Sequence, residues 1–242
     1  MRKRCNMLTY NSTFEDIRRV FLEEEQKAIY WLKKRYQGDK GFDRECQRLA
    51  NICYNKFKKG LSGELTRYNS KENEWLSWLR VQRNSNGEAF VMPICVVYFE
   101  TSQYMGVISN TFSTDGNTGE TRHGYTIYTP HFFQRIHERL GVDMTNRREV
   151  AKNFIDIMGL SPTRYADDNL NKFVKRLPGS WARGDSHMEG DNFVDTVRTF
   201  YTDKTLTSAQ RKDLKSFGKY IDQMKCLDAM LGDAWEYYYL NK

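Results

Sequence analysis

The sequence predicts an α+β fold, in which a helical N-terminal section packs with a small antiparallel sheet and further helices. Three observations predict it. Apolar residues recur at helical spacing from Phe14 to Phe57, and residues Ala89 to Tyr128 then turn β-branched and aromatic. Beyond Pro130, helical periodicity returns around one more strand-like run, Asp191 to Tyr201. Helices, then strands, then helices around a strand is the order of an α+β chain. The change of character divides the sequence into a helical section, 1–83, and an α+β section, 84–242, which also read as one continuous domain. A length of 242 residues is enough to bury a sizeable core in either case.

Ser12 and Glu15 have the spacing of a capping box and open a first helix. Its inner face is Phe14, Ile17, Phe21, Ala28 and Leu32, and it ends near Tyr36, before the turn from Gly38 to Gly41. A second helix, Phe42 to Lys59, carries Phe42, Cys46, Leu49, Cys53 and Phe57 inward and stops at Gly60 and Gly63. Cations close both helices: Lys33, Lys34 and Arg35 on one, Lys56, Lys58 and Lys59 on the other. Complementing the helix dipole accounts for them better than contact with nucleic acid. Ser70 to Val81 reads as a short helix whose Trp75 and Trp78 seal it against neighbours. The NSNG stretch, Asn84 to Gly87, is a turn.

Ala89 to Glu100 and Gln103 to Phe112 read as strands of a hairpin across Thr101 and Ser102, and Ser113 to His123 as a loop. Gly124 to Tyr128 is the third strand. Thr129 then caps a helix with Pro130 in its first position, where proline is tolerated. Asn146 and Glu149 suggest another capping box, opening a helix to about Met158 that Gly159 ends, with Val150, Phe154, Ile155 and Met158 inward. A short helix is expected around Asn169 to Arg176, and an irregular loop or hairpin from Pro178 to Gly190. Thr207 and Gln210 cap a final long helix with Leu214, Phe217, Ile221 and Met224 inward; the aromatic end, AWEYYYLNK, is expected to dock on the body.

A hydrophobic content of 39% is modest, but 14% aromatic residues argue against wholesale disorder. The net charge of +7 favours anionic partners such as nucleic acid without requiring them. Five cysteines, odd in number and without a CxxC pair, imply neither a disulfide framework nor a zinc ribbon, and fit a reducing, cytoplasmic location. No apolar run approaches the roughly 18 residues of a membrane span, and no apolar core follows the basic start MRKR, so neither a membrane nor a cleaved signal peptide is expected.

The helix after Pro130 carries the candidate chemistry. His131, Arg135 and Arg139 fall at i, i+4 and i+8 and form one stripe beside the apolar face of Phe132, Phe133, Ile136 and Leu140. No phosphate loop, HExxH, GxSxG or dinucleotide fingerprint is present. His131 and His137, six apart, lie on different helix faces and make a poor ligand pair, so neither a metal nor another cofactor is expected. What remains is acid–base chemistry on a phosphodiester. Cutting RNA through its own 2′-hydroxyl needs proton transfer, which a histidine suits, and positive charge on the phosphate, which guanidiniums suit. Tyr125, Tyr128, His123 and Arg198 are candidates to lie nearby and contact nucleic acid. The same stripe also reads as solvated helix charges, with Arg135 or Arg139 paired to Glu138 and the Arg139 stem covering apolar surface near Phe132.

Tyr128-Thr129-Pro130-His131, followed by Phe133, Arg135 and Arg139, resembles the strand-to-helix segment S/T-x-H-x3-R-x3-R of small RelE-like and BrnT-like toxin domains. Val197 to Tyr201, with Leu206 and Gln210, is similar to a later strand and helix of those domains. The resemblance covers Ala89 to Leu140 and Asp191 to Gln210 and implies a compact α+β fold that cleaves RNA in the cytoplasm under control of an antitoxin. The chain is longer than such domains, its N-terminal third is unmatched, and a long insert separates the two similar segments. Gln210 is fully explained as a cap and takes no role from the resemblance. The function expected is therefore RNA-acting, a metal-free ribonuclease with His131 as acid or base and Arg135 and Arg139 on the phosphate. The alternatives are a non-catalytic nucleic-acid-binding protein and a protein–protein adaptor.

Overall fold

In the computed structural model, residues 7–55, 62–83, 89–114, 121–160, 163–165, 172–177 and 179–215 are described. They form an α+β fold whose contacts divide the chain into two units, Met1–Phe99 and Glu100–Lys242. Among the described residues no helix is long and apolar enough to cross a membrane.

The first unit starts with α1, Phe14–Arg35, and α2, Asp39–Asn55. The cap of α1 is Thr13, whose hydroxyl accepts from the Asp16 amide at 3.2 Å. Ser12, expected to cap, is committed one residue earlier, since its hydroxyl accepts from the Thr9 amide. The inner face of α1 is as expected: Ile17, Phe21, Ala28 and Leu32 are buried, joined by Val20 and by Glu24. Leu32, Phe42 and Leu49 then pack with Leu79 and Val81.

Those last two residues lie in a strand, which corrects the helix expected over Ser70–Val81. The unit contains β1, Thr66–Asn69, β2, Glu74–Arg83, and β3, Ala89–Glu100, with β2 antiparallel to both neighbours. Every residue from Trp75 to Val81 is buried. An apolar run buried on both faces has no strand alternation to read, and its tryptophans at i, i+3 imitate a helix. In β2 the two indoles point to opposite faces, each fully buried, so their packing role stands while their element changes. The NSNG turn lies outside the described residues.

The second unit contains β4, Met105–Thr114, β5, Thr121–Tyr128, α3, Pro130–Leu140, and α4, Arg147–Leu160. There follow β6, Thr163–Tyr165, β7, Lys172–Leu177, β8, Ser180–Glu189, β9, Asn192–Thr202, and α5, Ser208–Lys215. The six strands lie in the order β4-β5-β9-β8-β7-β6. β5 runs antiparallel to β4 but parallel to β9, so one parallel pair interrupts an otherwise antiparallel set.

Two expectations are corrected here. The helix around Asn169–Arg176 is replaced, from Lys172 on, by strand β7, and Pro178–Gly190, expected as a loop or an irregular hairpin, is mostly the single strand β8. Gly184 explains why β8 looked irregular. A Cβ there would stand 2.2 Å from the Thr196 carbonyl oxygen and 2.5 Å from the Phe173 ring, so this glycine permits close packing rather than a turn. A bulge beside it breaks the alternation, because Arg183 pairs with Thr199 and Gly184 with Val197. In α4, Val150, Phe154, Ile155 and Met158 are buried as expected, but the helix runs through Gly159 to Leu160. Thr207 and Gln210 form the expected box at α5, each backbone amide donating to the other's side chain, at 2.9 and 3.2 Å. Phe217, Ile221, Met224 and the aromatic end lie outside the described residues.

Candidate functional site

The start of α3 is fixed by residues the sequence marks plainly. Thr129 accepts from the Phe132 amide at 3.3 Å, Pro130 occupies the first turn, and Gly141 ends the helix at φ 65°. Thr129 also ties the helix to β9, since its amide and its hydroxyl both donate to the Val197 carbonyl, at 3.2 and 3.1 Å. Phe132, Phe133 and Ile136 are buried, which leaves the opposite side of α3 to solvent.

On that outer side four side chains close a ring of hydrogen bonds. Arg135 Nε donates to His131 Nε2 at 3.3 Å, and His131 Nδ1 meets Gln134 Oε1 at 3.3 Å. Gln134 Nε2 donates to Glu138 Oε1 at 2.8 Å, and Arg135 Nη1 donates to Glu138 Oε2 at 2.6 Å. A guanidinium only donates, so His131 Nε2 accepts and Nδ1 carries the proton that Gln134 receives. His131 thus presents Nε2 to a cation whose charge Glu138 balances. Gln134 first, then Arg135, holds the Glu138 carboxyl below the usual carboxylate range. The two bonds to Glu138 are therefore favoured above that range and are lost as pH falls through the lowered value.

Arg139 does not join it. Its guanidinium donates to the Phe200 carbonyl and lies over the Tyr201 ring at 5.0 Å, and burial holds its pKa below the ordinary guanidinium value. The reason lies in the sheet. The pairing of β5 with β9 stops at Tyr128 and Val197, and among the described residues no strand continues it along the rest of β9. Thr129 and Arg139, at the two ends of α3, take up carbonyls of β9 there. Arg139→Ala is accordingly expected to lower stability by about 2 kcal/mol, read from urea unfolding at unchanged slope. Arg139→Lys should recover only part of it, because an ammonium does not stack on Tyr201 as a guanidinium does. An alanine variant as stable as the parent would remove the structural role.

The remaining expected contacts are not brought to the ring. Tyr128 is buried against Phe132. Tyr125, three residues earlier in the strand, points to the other face of the sheet, where it is buried with His123 at 5.2 Å; His123 in turn meets Phe112. Arg198 is the extra residue of the β9 bulge and pairs with Asp185. Of the seven expected residues, Arg135 joins His131 in the ring, and Tyr125 with His123 forms a separate contact elsewhere.

No family model, curated protein or solved structure matches the chain.

Sequence reasoning missed three features. Gln134 closes the ring, and its spacing from His131 and Glu138, i+3 and i+4, was the available signal. Ser109, Thr126, Asp195 and Ser186 stand on one rung across four strands, all buried, with the Asp195 carboxyl flanked by Thr126 and Ser186; no signal in the separate strands announces this. The third lies in the first unit, where Trp31 of α1 stacks on Tyr68 of β1. Its signal was a tryptophan off the buried stripe of α1. Among the described residues the thiols of Cys46 and Cys95 are free, and burial pushes both up, so neither is an activated nucleophile.

Proposed function

We propose that the protein acts on RNA, and that His131 and Arg135 are the pair that meets the phosphodiester. One observation carries the reading: an exposed imidazole shares a hydrogen bond with a guanidinium on one helix. When a phosphate takes Arg135, the lone pair on His131 Nε2 becomes available. It accepts the 2′-hydroxyl proton as the 2′-oxygen bonds to phosphorus, the bond from phosphorus to the 5′-oxygen breaks, and the leaving oxygen takes its proton from the imidazolium so formed. The guanidinium, planar and bidentate, suits the charge that collects on the phosphoryl oxygens. The resemblance of this segment to RelE-like and BrnT-like toxin domains supports the same reading and brings with it a cytoplasmic setting and a protein partner.

A second reading, RNA binding without cleavage, is favoured by the lowered pKa of Glu138, the other titratable group of the ring, whose carboxylate has no proton to give a leaving oxygen. The two are separated by incubating labelled single-stranded RNA, single-stranded DNA and duplex with the protein in EDTA, beside His131→Ala and Arg135→Ala. Catalysis predicts RNA cleavage that falls about a thousandfold in His131→Ala while binding is retained. Binding alone predicts intact, shifted RNA whose affinity weakens in Arg135→Ala and falls with salt. Neither cleavage nor a shift would overturn both.

A further inference from the structure

We propose that the surface formed by Trp31, Tyr30 and Tyr68, with Lys27 and Lys34, is a second site, one that stacks unpaired bases of a single-stranded nucleic acid. It belongs to the first unit, whereas the His131 ring belongs to the second, and its argument stands without any cleavage there.

The buried stripe of α1 runs through Ile17, Phe21, Glu24, Ala28 and Leu32 and consumes none of these side chains. Tyr30 is 63% exposed and Trp31 40%. Large aromatics at such exposure, next to each other on a helix whose core face is already filled, are not needed for packing. They are also arranged. Trp31 lies nearly parallel to Tyr68, 19° between planes with centroids 6.0 Å apart, and Tyr30 meets its edge at 6.4 Å. The Lys34 ammonium sits over the indole, 4.5 Å from its centroid. Lys27 and Lys34 flank Trp31 at i−4 and i+3, which places both on the same side of α1.

Two properties select the ligand. Flat, parallel rings offer π-faces that every base can use, and cations spaced along them suit a phosphate backbone. Lys34 has a particular part. Its ammonium now occupies the indole face, and a base stacking there would displace it toward the phosphate of the same nucleotide. The neighbouring cations are otherwise engaged, Lys33 with Asp39 and Arg35 with Glu64, so the site rests on Lys27 and Lys34. A protein partner would find the aromatic rings equally, but not a use for the paired cations; that alternative is an outcome of the test.

The test uses the full chain carrying His131→Ala, so that no substrate is cut, and fluorescence anisotropy of labelled 12-mers. The probes are oligo-uridine, oligo-thymidine and an abasic 12-mer with the same number of phosphates, at about 50 and 200 mM salt. Base stacking predicts that both base-bearing strands bind at least about tenfold more tightly than the abasic one. Trp31→Ala should erase that difference, Trp31→Phe should keep most of it, and Lys27→Ala with Lys34→Ala should weaken all three probes alike. Uridine and thymidine strands that differ would identify RNA or DNA as the source without changing the site. Equal binding of base-bearing and abasic strands by the His131→Ala chain itself, whatever the Trp31 variants do, overturns the proposal. So does the absence of binding at low salt, which leaves this surface to a protein. The RNA reading of the second unit is judged separately, by cleavage and by Arg135→Ala.

Discussion

Phe132→Ala is expected to cost about 4 kcal/mol of unfolding free energy, the middle of the range for a buried ring. Phe132 has no exposed surface, and it meets four other rings: Tyr128 of β5, Phe133 of its own helix, Phe154 of α4 and Phe200 of β9. The centroid separations, 5.2 to 6.3 Å, and the steep interplanar angles are those at which ring edges meet ring faces. Alanine therefore removes both the buried area and the point at which three elements are joined. The consequence reaches the site, because His131 and Arg135 are positioned only as well as α3 is seated on β9. Phe132→Leu keeps most of the volume and is expected to lose about 1.5 kcal/mol. Urea unfolding of the two variants measures this, and a loss below about 1 kcal/mol for alanine would show that the surrounding rings close the cavity.

The α3 segment was legible because several local signals agree there. A capping threonine, a proline in the first turn, an apolar face and a terminal glycine each specify the same helix, and the structure uses all of them. The capping box of α5 was legible for the same reason. Strands β2, β7 and β8 were not. β2 is buried on both faces and shows no alternation, and β8 contains a glycine and a bulge that look like turn chemistry. In each case the strand exists because neighbouring strands pair with it, which is long-range information that a local pattern does not hold.

The candidate site was half legible, and the division follows sequence distance. Helical spacing correctly placed His131 beside Arg135, since i+4 neighbours are set by the helix itself. The same spacing put Arg139 in the stripe, but a carbonyl of β9, 61 residues away in the chain, claims it instead. Tyr125 and Tyr128 differ by three positions in a strand, so they cannot share a face, and burial removes both from solvent. Aromatic residues near a basic helix looked like stacking groups, but both tyrosines are buried, whereas Tyr30 and Trp31 of α1 are exposed.

Glu24→Ala is expected to cost about 3 kcal/mol, a large effect for removing a polar side chain. In the apolar stripe of α1, Glu24 takes a position that a hydrophobic residue would fill, and it is 9% exposed. Its Oε2 accepts from the Trp75 indole at 2.8 Å and from Asn73 Nδ2 at 3.3 Å, while Asn73 Oδ1 receives the Leu8 amide at 2.9 Å. One carboxylate thus joins α1 to β2 and, through Asn73, to the segment that precedes the helix. Trp75 is fully buried, so with alanine at position 24 its N–H loses this acceptor where water does not replace it. Most of the cost is the desolvated donor rather than the lost bond, and this distinguishes the explanation from simple loss of packing. Glu24→Gln retains an oxygen for the indole and should lose about 1 kcal/mol. Trp75→Phe removes the donor, so Glu24→Ala should cost less in that background, by about 1 to 2 kcal/mol in a double-mutant cycle. Additive losses in the cycle would mean that the carboxylate acts only by filling space, and that the indole N–H does not anchor α1 to the sheet.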